Sequence, residues 1–123
     1  MSEAECWARI EQHEIGRLAV SVMHRPDVFP VNYRVDGRAL VVKTAPGLKL
    51  AAAALGRGVA FEVDDFDRSS RTGWSVVIHG RATEIEELDE LLAAEDLGVE
   101  PWAGGPKGRY LRITPTSVSG RIL

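Results

Sequence analysis

The residues best suited to chemistry lie in the stretch TAPGLKLAAAAL, residues 44–55. Pro46 fits the first position of a helix, where its missing amide hydrogen costs nothing, and the amides that follow stay unpaired at the positive end of the helix dipole. Anions bind readily at such an end. Thr44 could add a hydroxyl and Lys49 a full charge, which predicts a phosphate anchor. The alternative is an ordinary helix start whose lysine is solvated.

Other reactive side chains do not form a recognisable catalytic or metal-binding pattern. The three histidines are far apart in sequence and none has a paired ligand spacing such as H-x-x-x-H; they are His13, His24 and His79. Cys6 has no activating partner in its neighbourhood. We therefore predict no metal site and name no catalytic side chain, and we note His79 for its place on a long strand.

Composition limits the class of protein. The chain has 123 residues, of which 45% are hydrophobic, so we expect one domain over 1–123. A net charge of -3 argues against a nucleic-acid partner, which requires a basic surface. Residues 84–96 hold seven acids and no Lys or Arg, so the rest of the chain carries +4. That remainder is suited to a small anion.

The compartment follows from cysteine and hydropathy patterns. Cys6 is the only cysteine, so no disulfide can form within the chain, which fits a reducing cytoplasm. No apolar run is as long as a membrane span, and the first residues lack the pattern of a signal peptide. We expect a soluble cytoplasmic protein that does not contact a membrane.

The elements that position these residues begin with a short helix. Ser2 and Glu5 have the spacing of a capping box. Trp7 and Ile10 lie one turn apart, which gives the helix an apolar side. We expect this helix to end around residues 13–16.

Runs of β-branched and apolar residues predict six strands, at 15–23, 28–35, 38–45, 59–64, 74–85 and from 109 onward. HRPD forms the first turn, and Asp36-Gly37 predicts a hairpin. Gly80 predicts a bulge or a close backbone approach. Leucines at 88, 91 and 92 before Gly98 predict a second helix, and TAPGLKLAAAAL predicts another. The sum is a mainly β fold with short helices, a closed or nearly closed antiparallel barrel.

Four segments in this order carry a resemblance to a known family: PVNY, LVVKTAPGLKL, VAFEVDDF and GWSVVIHGRA. Together they resemble the pyridoxamine 5'-phosphate oxidase-like FMN-binding split barrel, in particular its small single-domain bacterial members. The match runs from about residue 15 to residue 121. The resemblance implies an antiparallel split β-barrel and a homodimer that holds FMN in the groove between its subunits.

The resemblance also implies which residues contact the cofactor. The ring edge would be contacted by segment 30–32, and the ribityl phosphate by segment 44–49. Segment 74–75 would reach the partner's cofactor across a two-fold interface. A tryptophan near the C-terminus would approach the ring from the partner chain. The residues carried over in this way are Pro30, Val31, Asn32, Thr44, Lys49, Trp74, Ser75 and Trp102.

The implied function is an FMN-dependent oxidoreductase whose small-molecule substrate is unknown. The flavin would carry the hydride or electrons while the protein positions it. Vitamin oxidases of the family pair an Arg with a His near the C-terminus, but this chain has Arg109 and Arg112 and no histidine after His79. Pyridoxine phosphate oxidation is therefore not implied. A flavin carrier or sensor without turnover, a deazaflavin-dependent reductase and a haem protein with His79 as ligand stay open.

Overall fold

Six antiparallel strands close into a barrel in the computed structural model, which describes residues 1–44, 57–99 and 109–123. The order around the barrel is β1-β2-β3-β6-β5-β4. Their bounds are β1 Ile15–Val22, β2 Arg25–Asp36, β3 Ala39–Thr44, β4 Gly58–Asp67, β5 Thr72–Glu84 and β6 Arg109–Ile122. The predicted mainly β split barrel is confirmed. The helix predicted in TAPGLKLAAAAL and the segment with Trp102 lie outside the described residues.

Side-chain alternation along the strands builds the core. Successive residues point to opposite faces, so every second residue enters the barrel. The inward set is fully buried and almost entirely apolar; it includes Leu18, Tyr33, Val42, Phe61, Ile78 and Leu111. Burying each such side chain contributes about 1.5–3 kcal/mol. The outward residues of the same strands are left to form surface sites.

Helix α1, Glu3–Ile10, packs against the barrel through Cys6, Trp7 and Ile10. Ser2 is its N-cap and accepts a 3.1 Å hydrogen bond from the amide of Glu5, as the capping pattern predicts.

The predicted end of this helix, at residues 13–16, was too late. The Tyr33 hydroxyl donates to the Ile10 carbonyl at 2.5 Å, and the amide of His13 bonds the same carbonyl. A contact from β2 thus fixes where the helix stops, and the chain turns into β1 at Ile15.

Helix α2, Leu88–Asp96, lies on the outer face of β3 and β6. Its buried contacts join Ala94 to Val41 and Tyr110. Gly98 has φ +70°, so it ends the helix in the left-handed conformation that glycine adopts without strain.

The apolar side of α2 differs from the predicted one. Leu88 is 68% exposed and Leu92 is 52% exposed. The side that packs on the barrel is formed instead by Leu91, Ala94 and Leu97. None of the helices among the described residues is long and apolar enough to cross a membrane.

Two predicted strand features can be compared directly. Gly80 lies at a shift in the β5–β6 register, as predicted, and a Cβ there would lie 2.4 Å from the Thr114 carbonyl oxygen. The turn HRPD was misplaced. The turn consists of Met23 and His24, both with positive φ. The remaining residues of the predicted turn, 25–27, belong to β2.

Candidate functional site

One edge of β2 is unpaired among the described residues. β1 pairs with β2 from Arg25 to Asn32, whereas β3 pairs with it only from Asn32 to Asp36. Residues 25–31 therefore have a strand neighbour on one side only. We call this gap on the β3 side, seen among the described residues, the open edge.

The backbone groups at the open edge follow from alternation. The amide of Tyr33 donates to the Glu14 carbonyl on the β1 side, so even-numbered residues of β2 direct their backbone groups away from β1. Pro26 and Pro30 occupy even positions, where the missing N–H would have pointed into the gap. The carbonyl of Pro30 therefore faces the open edge and can accept a hydrogen bond there.

The outward side chains beside this edge form a polar strip. Asn32 is half-buried and lies directly opposite Lys43 of β3. The Lys43 ammonium group lies 5.2 Å from the centre of the Tyr110 ring on β6. Sequence reasoning missed Lys43 and Tyr110, because Val41 and Val42 are both apolar and alternation alone does not show which face Lys43 occupies.

Two predicted site residues have their side chains inside the barrel. Val31 is 6% exposed and its backbone pairs with Gly16 of β1, so it presents neither group to the open edge. Thr44 is 3% exposed, and its hydroxyl donates to the Arg109 carbonyl at 3.3 Å. That bond ties the end of β3 to the start of β6, and a cofactor contact from Thr44 stays a prediction.

A second cluster lies on the outer face of β1, β4 and β5. Arg17 contacts the carboxylates of Glu62 at 3.1 Å and Asp64 at 3.4 Å. The Ser75 hydroxyl donates to Glu62 at 3.1 Å. Partial burial, and then the hydrogen bond with Asp64, raises the pKa of the Glu62 carboxyl. Ser75 is thus part of a charged network that a ligand or a second chain would meet.

Trp74 points to the opposite face of β5 from Ser75. It is 9% exposed, with the His13 ring edge-on at a centroid distance of 5.3 Å. The Arg9 guanidinium lies 5.4 Å from the centre of the Trp74 ring. Trp74 therefore packs at the end of the barrel beneath α1. It also lines an open groove of about 690 Å³.

The strand order separates the predicted residues into two groups. Asn32 and Pro30 lie on β2, and Ser75 lies on β5, three strands away in either direction around the barrel. Within one chain these residues are therefore on opposite sides of the barrel. Lys49 and Trp102 lie outside the described residues.

The antiparallel barrel, with the incompletely paired strand β2, has the fold of the split-barrel class. The chain belongs to the pyridoxamine 5'-phosphate oxidase family, whose model matches residues 2–122. This confirms the family that the four sequence segments predicted.

Similar proteins are found in bacteria. An uncharacterized protein of Mycobacterium tuberculosis, Rv0080, is 35% identical over 126 residues, covering 90% of this chain and 82% of that protein. The structure of an FAD-binding protein from Mycobacterium smegmatis superposes with a TM-score of 0.88 at 33% identity, covering 100% of this chain and 98% of that one. An FAD-binding protein from Mesorhizobium loti has a TM-score of 0.84 at 26% identity, covering 100% and 96%.

Proposed function

We propose that the protein is a homodimeric flavin-dependent oxidoreductase that binds FMN between the open edge of one subunit and β5 of the other, and acts on a small molecule. The observation that carries this proposal is the separation of Asn32 and Ser75 on opposite sides of the barrel. Residues that contact one flavin from both places must come from two chains. Two similar structures at 33% and 26% identity are of FAD-binding proteins, which supports a flavin as the ligand.

The groups at the open edge suit a flavin in their donor and acceptor chemistry. The pyrimidine end of the flavin ring presents an N–H donor between two carbonyl acceptors. The Pro30 carbonyl accepts hydrogen bonds, and the Asn32 amide both donates and accepts them. Lys43 supplies a positive charge on the same outer strip. The residues present therefore fit the group.

Each part of the chain would have a separate task. Bound flavin supplies the hydride or electron transfer. Pro30 and Asn32 would orient the ring, and Lys43 would place a positive charge beside it. Lys49 and the amides beside it would hold the phosphate. Ser75, fixed by its bond to Glu62, would approach from the other subunit.

Reconstitution tests this proposal. The purified protein, freed of any bound flavin, is titrated with FMN, FAD and a deazaflavin while flavin fluorescence is recorded, and its mass is measured by light scattering. We expect FMN binding at one flavin per chain and a dimer. Asn32→Ala should weaken binding, whereas Thr83→Ala, which also removes a polar side chain from the outer surface, should not.

Failure of all three cofactors to bind would refute the flavin proposal. Tightest binding of the deazaflavin or FAD would correct the cofactor and keep the site. Turnover is tested separately by comparing the rate at which nicotinamide nucleotides reduce bound and free flavin. No acceleration with either nucleotide would favour a flavin carrier over an oxidoreductase.

A further inference from the structure

A second cavity, of about 430 Å³, lies where β1 and β4 separate. Their pairing ends at Ala19 and Ala60, although both strands continue beyond these residues. The cavity therefore occupies the wedge between the β1–β2 hairpin and the start of β4. It is lined by Ala19, Val20, Ser21, Pro26, Gly58, Val59, Ala60, His79, Gly80, Arg81 and Thr116.

Small residues create the hollow beside His79. Ala19, Ala60 and His79 are successive cross-strand partners on the outer face of β1, β4 and β5. The next residue on β4 with the same orientation is Gly58, which pairs with Arg81. The cross-strand neighbours of His79 and Arg81 are thus Ala60 and Gly58, which have little or no side chain. The surface formed by Ala60 and Gly58, called the floor of the cavity, is therefore open beside the imidazole and the guanidinium.

The polar groups around this floor favour an anion. His79 and Arg81 project from the same face of β5, about 7 Å apart along the strand. The described lining includes no carboxylate to neutralise Arg81. This is unlike the cluster around Ser75, where Arg17 contacts two acidic side chains. The cavity is therefore a positive site in a chain of net negative charge.

Backbone amides add to the donors. Odd-numbered residues of β1 direct their backbone groups toward β4, since Glu14 bonds β2 on the other side. Ser21 lies two residues after Ala19, and Gly58 lies two residues before Ala60, so both are beyond the β1–β4 pairing and their amides face the wedge. The Ser21 hydroxyl also lines the cavity, while the Thr116 hydroxyl donates to the His79 carbonyl at 3.2 Å.

We propose that this cavity binds an organic anion, a phosphate or carboxylate carried on an apolar or aromatic body, with Arg81 and His79 holding the anionic group and the Ala60 side of the floor receiving the body. Its volume lies within the roughly 300–1,000 Å³ of small-molecule sites, which are mostly apolar with a few placed polar groups. Two sources supply this chemistry: a free metabolite, or the adenylate half of FAD, which rests on the proposed flavin site. Binding of a free anion does not rest on that site.

The test uses AMP as the probe, with adenosine and inorganic phosphate as its two halves. Each is titrated into the full chain saturated with FMN, or into the protein as purified if FMN does not bind, and calorimetry measures affinity. We expect AMP to bind more tightly than either half. Arg81→Ala should weaken AMP at least about tenfold, because a hydrogen bond to a charged group is lost. Arg68→Ala, an equal loss of charge on the exposed turn between β4 and β5, should leave AMP binding unchanged.

A second variant separates shape from charge. Ala60→Phe fills the floor, keeps every charge and points away from the core, so it should abolish AMP binding while the melting temperature stays near that of the wild type. AMP affinity that survives both Arg81→Ala and Ala60→Phe overturns the proposal, as does the absence of AMP binding at millimolar concentration. Phosphate binding as tight as AMP overturns the apolar subsite.

A comparison of FAD with FMN identifies the source of the anion. If FAD binds more tightly than FMN and Arg81→Ala removes the difference, the cavity holds the adenylate of FAD. If the two flavins bind equally while AMP still binds, the ligand is a separate small molecule. Because AMP binding is measured whether or not FMN binds, failure of the flavin proposal and failure of this one give different results.

Discussion

Flavin binding should return when a chain altered at Asn32 is paired with a chain altered at Ser75. Asn32→Phe and Ser75→Phe place the same aromatic ring on outward, half-buried strand positions, which leaves the barrel core unchanged. If flavin lies between β2 of one copy and β5 of the other, each site of either homodimer carries the added ring. Neither variant alone should then bind the cofactor.

The strand order sets the size of the recovery. A two-fold dimer has two equivalent sites, and each would take β2 from one chain and β5 from the other. A heterodimer of the two variants gathers both rings in one site and leaves the second site unaltered, so about half of its sites bind flavin. Random pairing makes about half of the dimers heterodimers, and the mixture recovers about a quarter of wild-type flavin content.

The assay co-expresses the two variants with different affinity tags and isolates heterodimers by two successive purifications. Visible absorbance then gives flavin per chain, and light scattering confirms the dimer. Thr83→Phe serves as the control, because it adds the same ring at an exposed outward position of β5. Heterodimers without flavin would refute the shared site, and full flavin content in either single variant would remove that residue from it.

Three further results are expected. Lys49→Ala should weaken FMN binding by about 1.5–3 kcal/mol through loss of a charge-assisted phosphate contact, and an unchanged Kd in fluorescence titration would return this lysine to solvent. Tyr33→Phe should lower the free energy of unfolding in urea by about 0.5–1.5 kcal/mol, because the buried hydrogen bond from the hydroxyl to the Ile10 carbonyl is lost while the His13 amide still bonds that carbonyl; equal stability would show that the hydroxyl bond makes no net contribution. The raised pKa of Glu62 means that folding disfavours its ionised form. The protonated form therefore stabilises the fold below the ordinary glutamate pKa, and this contribution to the free energy of unfolding is lost as the pH rises through the raised pKa. Glu62→Gln should therefore be the more stable protein near neutral pH, with an advantage that vanishes below about pH 4; an advantage that grows in acid would contradict this.

Local backbone rules accounted for the features that the sequence predicted well. A serine three residues before a glutamate identified the cap of α1, and Asp36-Gly37 identified a turn in which Gly37 has φ +62°. Gly80 identified the register shift in β5 because a side chain there would collide with the neighbouring strand. The first two signals depend on residues close together in the chain, so the residue types alone suffice; for Gly80 the residue type marks the position, while the close contact is with Thr114 on β6.

Distant contacts explain the boundaries that were missed. α1 stops at Ile10 because Tyr33, 23 residues further along, bonds its carbonyl. A tight turn whose two residues have positive φ favours glycine or asparagine. Met23 and His24 occupy these positions and are neither, so their residue types did not indicate a turn there. Both outcomes depend on which strands pair, and the residue types at the boundary do not encode that pairing.

The candidate site was predicted only in part for the same reason. Alternation along β3 fixes only that Lys43 and Thr44 point to opposite faces, because Val41 and Val42 are both apolar and either could be the inward residue. The separation of Asn32 from Ser75 could not be reached in this way. It depends on β6 joining β3 to β5, a pairing between residues far apart in sequence.

The two prolines of β2 explain how a split can persist in an otherwise closed sheet. An unpaired strand edge invites another strand to add to it, and proline prevents this by removing the N–H that a new neighbour would need. Pro26 and Pro30 both sit where that N–H would face the open edge, yet their carbonyls remain as acceptors. The two prolines therefore disfavour pairing of a further strand with the open edge. Their carbonyls stay available to a ligand that donates hydrogen bonds. In the proposed flavin site, Pro30 would act through the N–H it lacks as well as through the carbonyl it keeps.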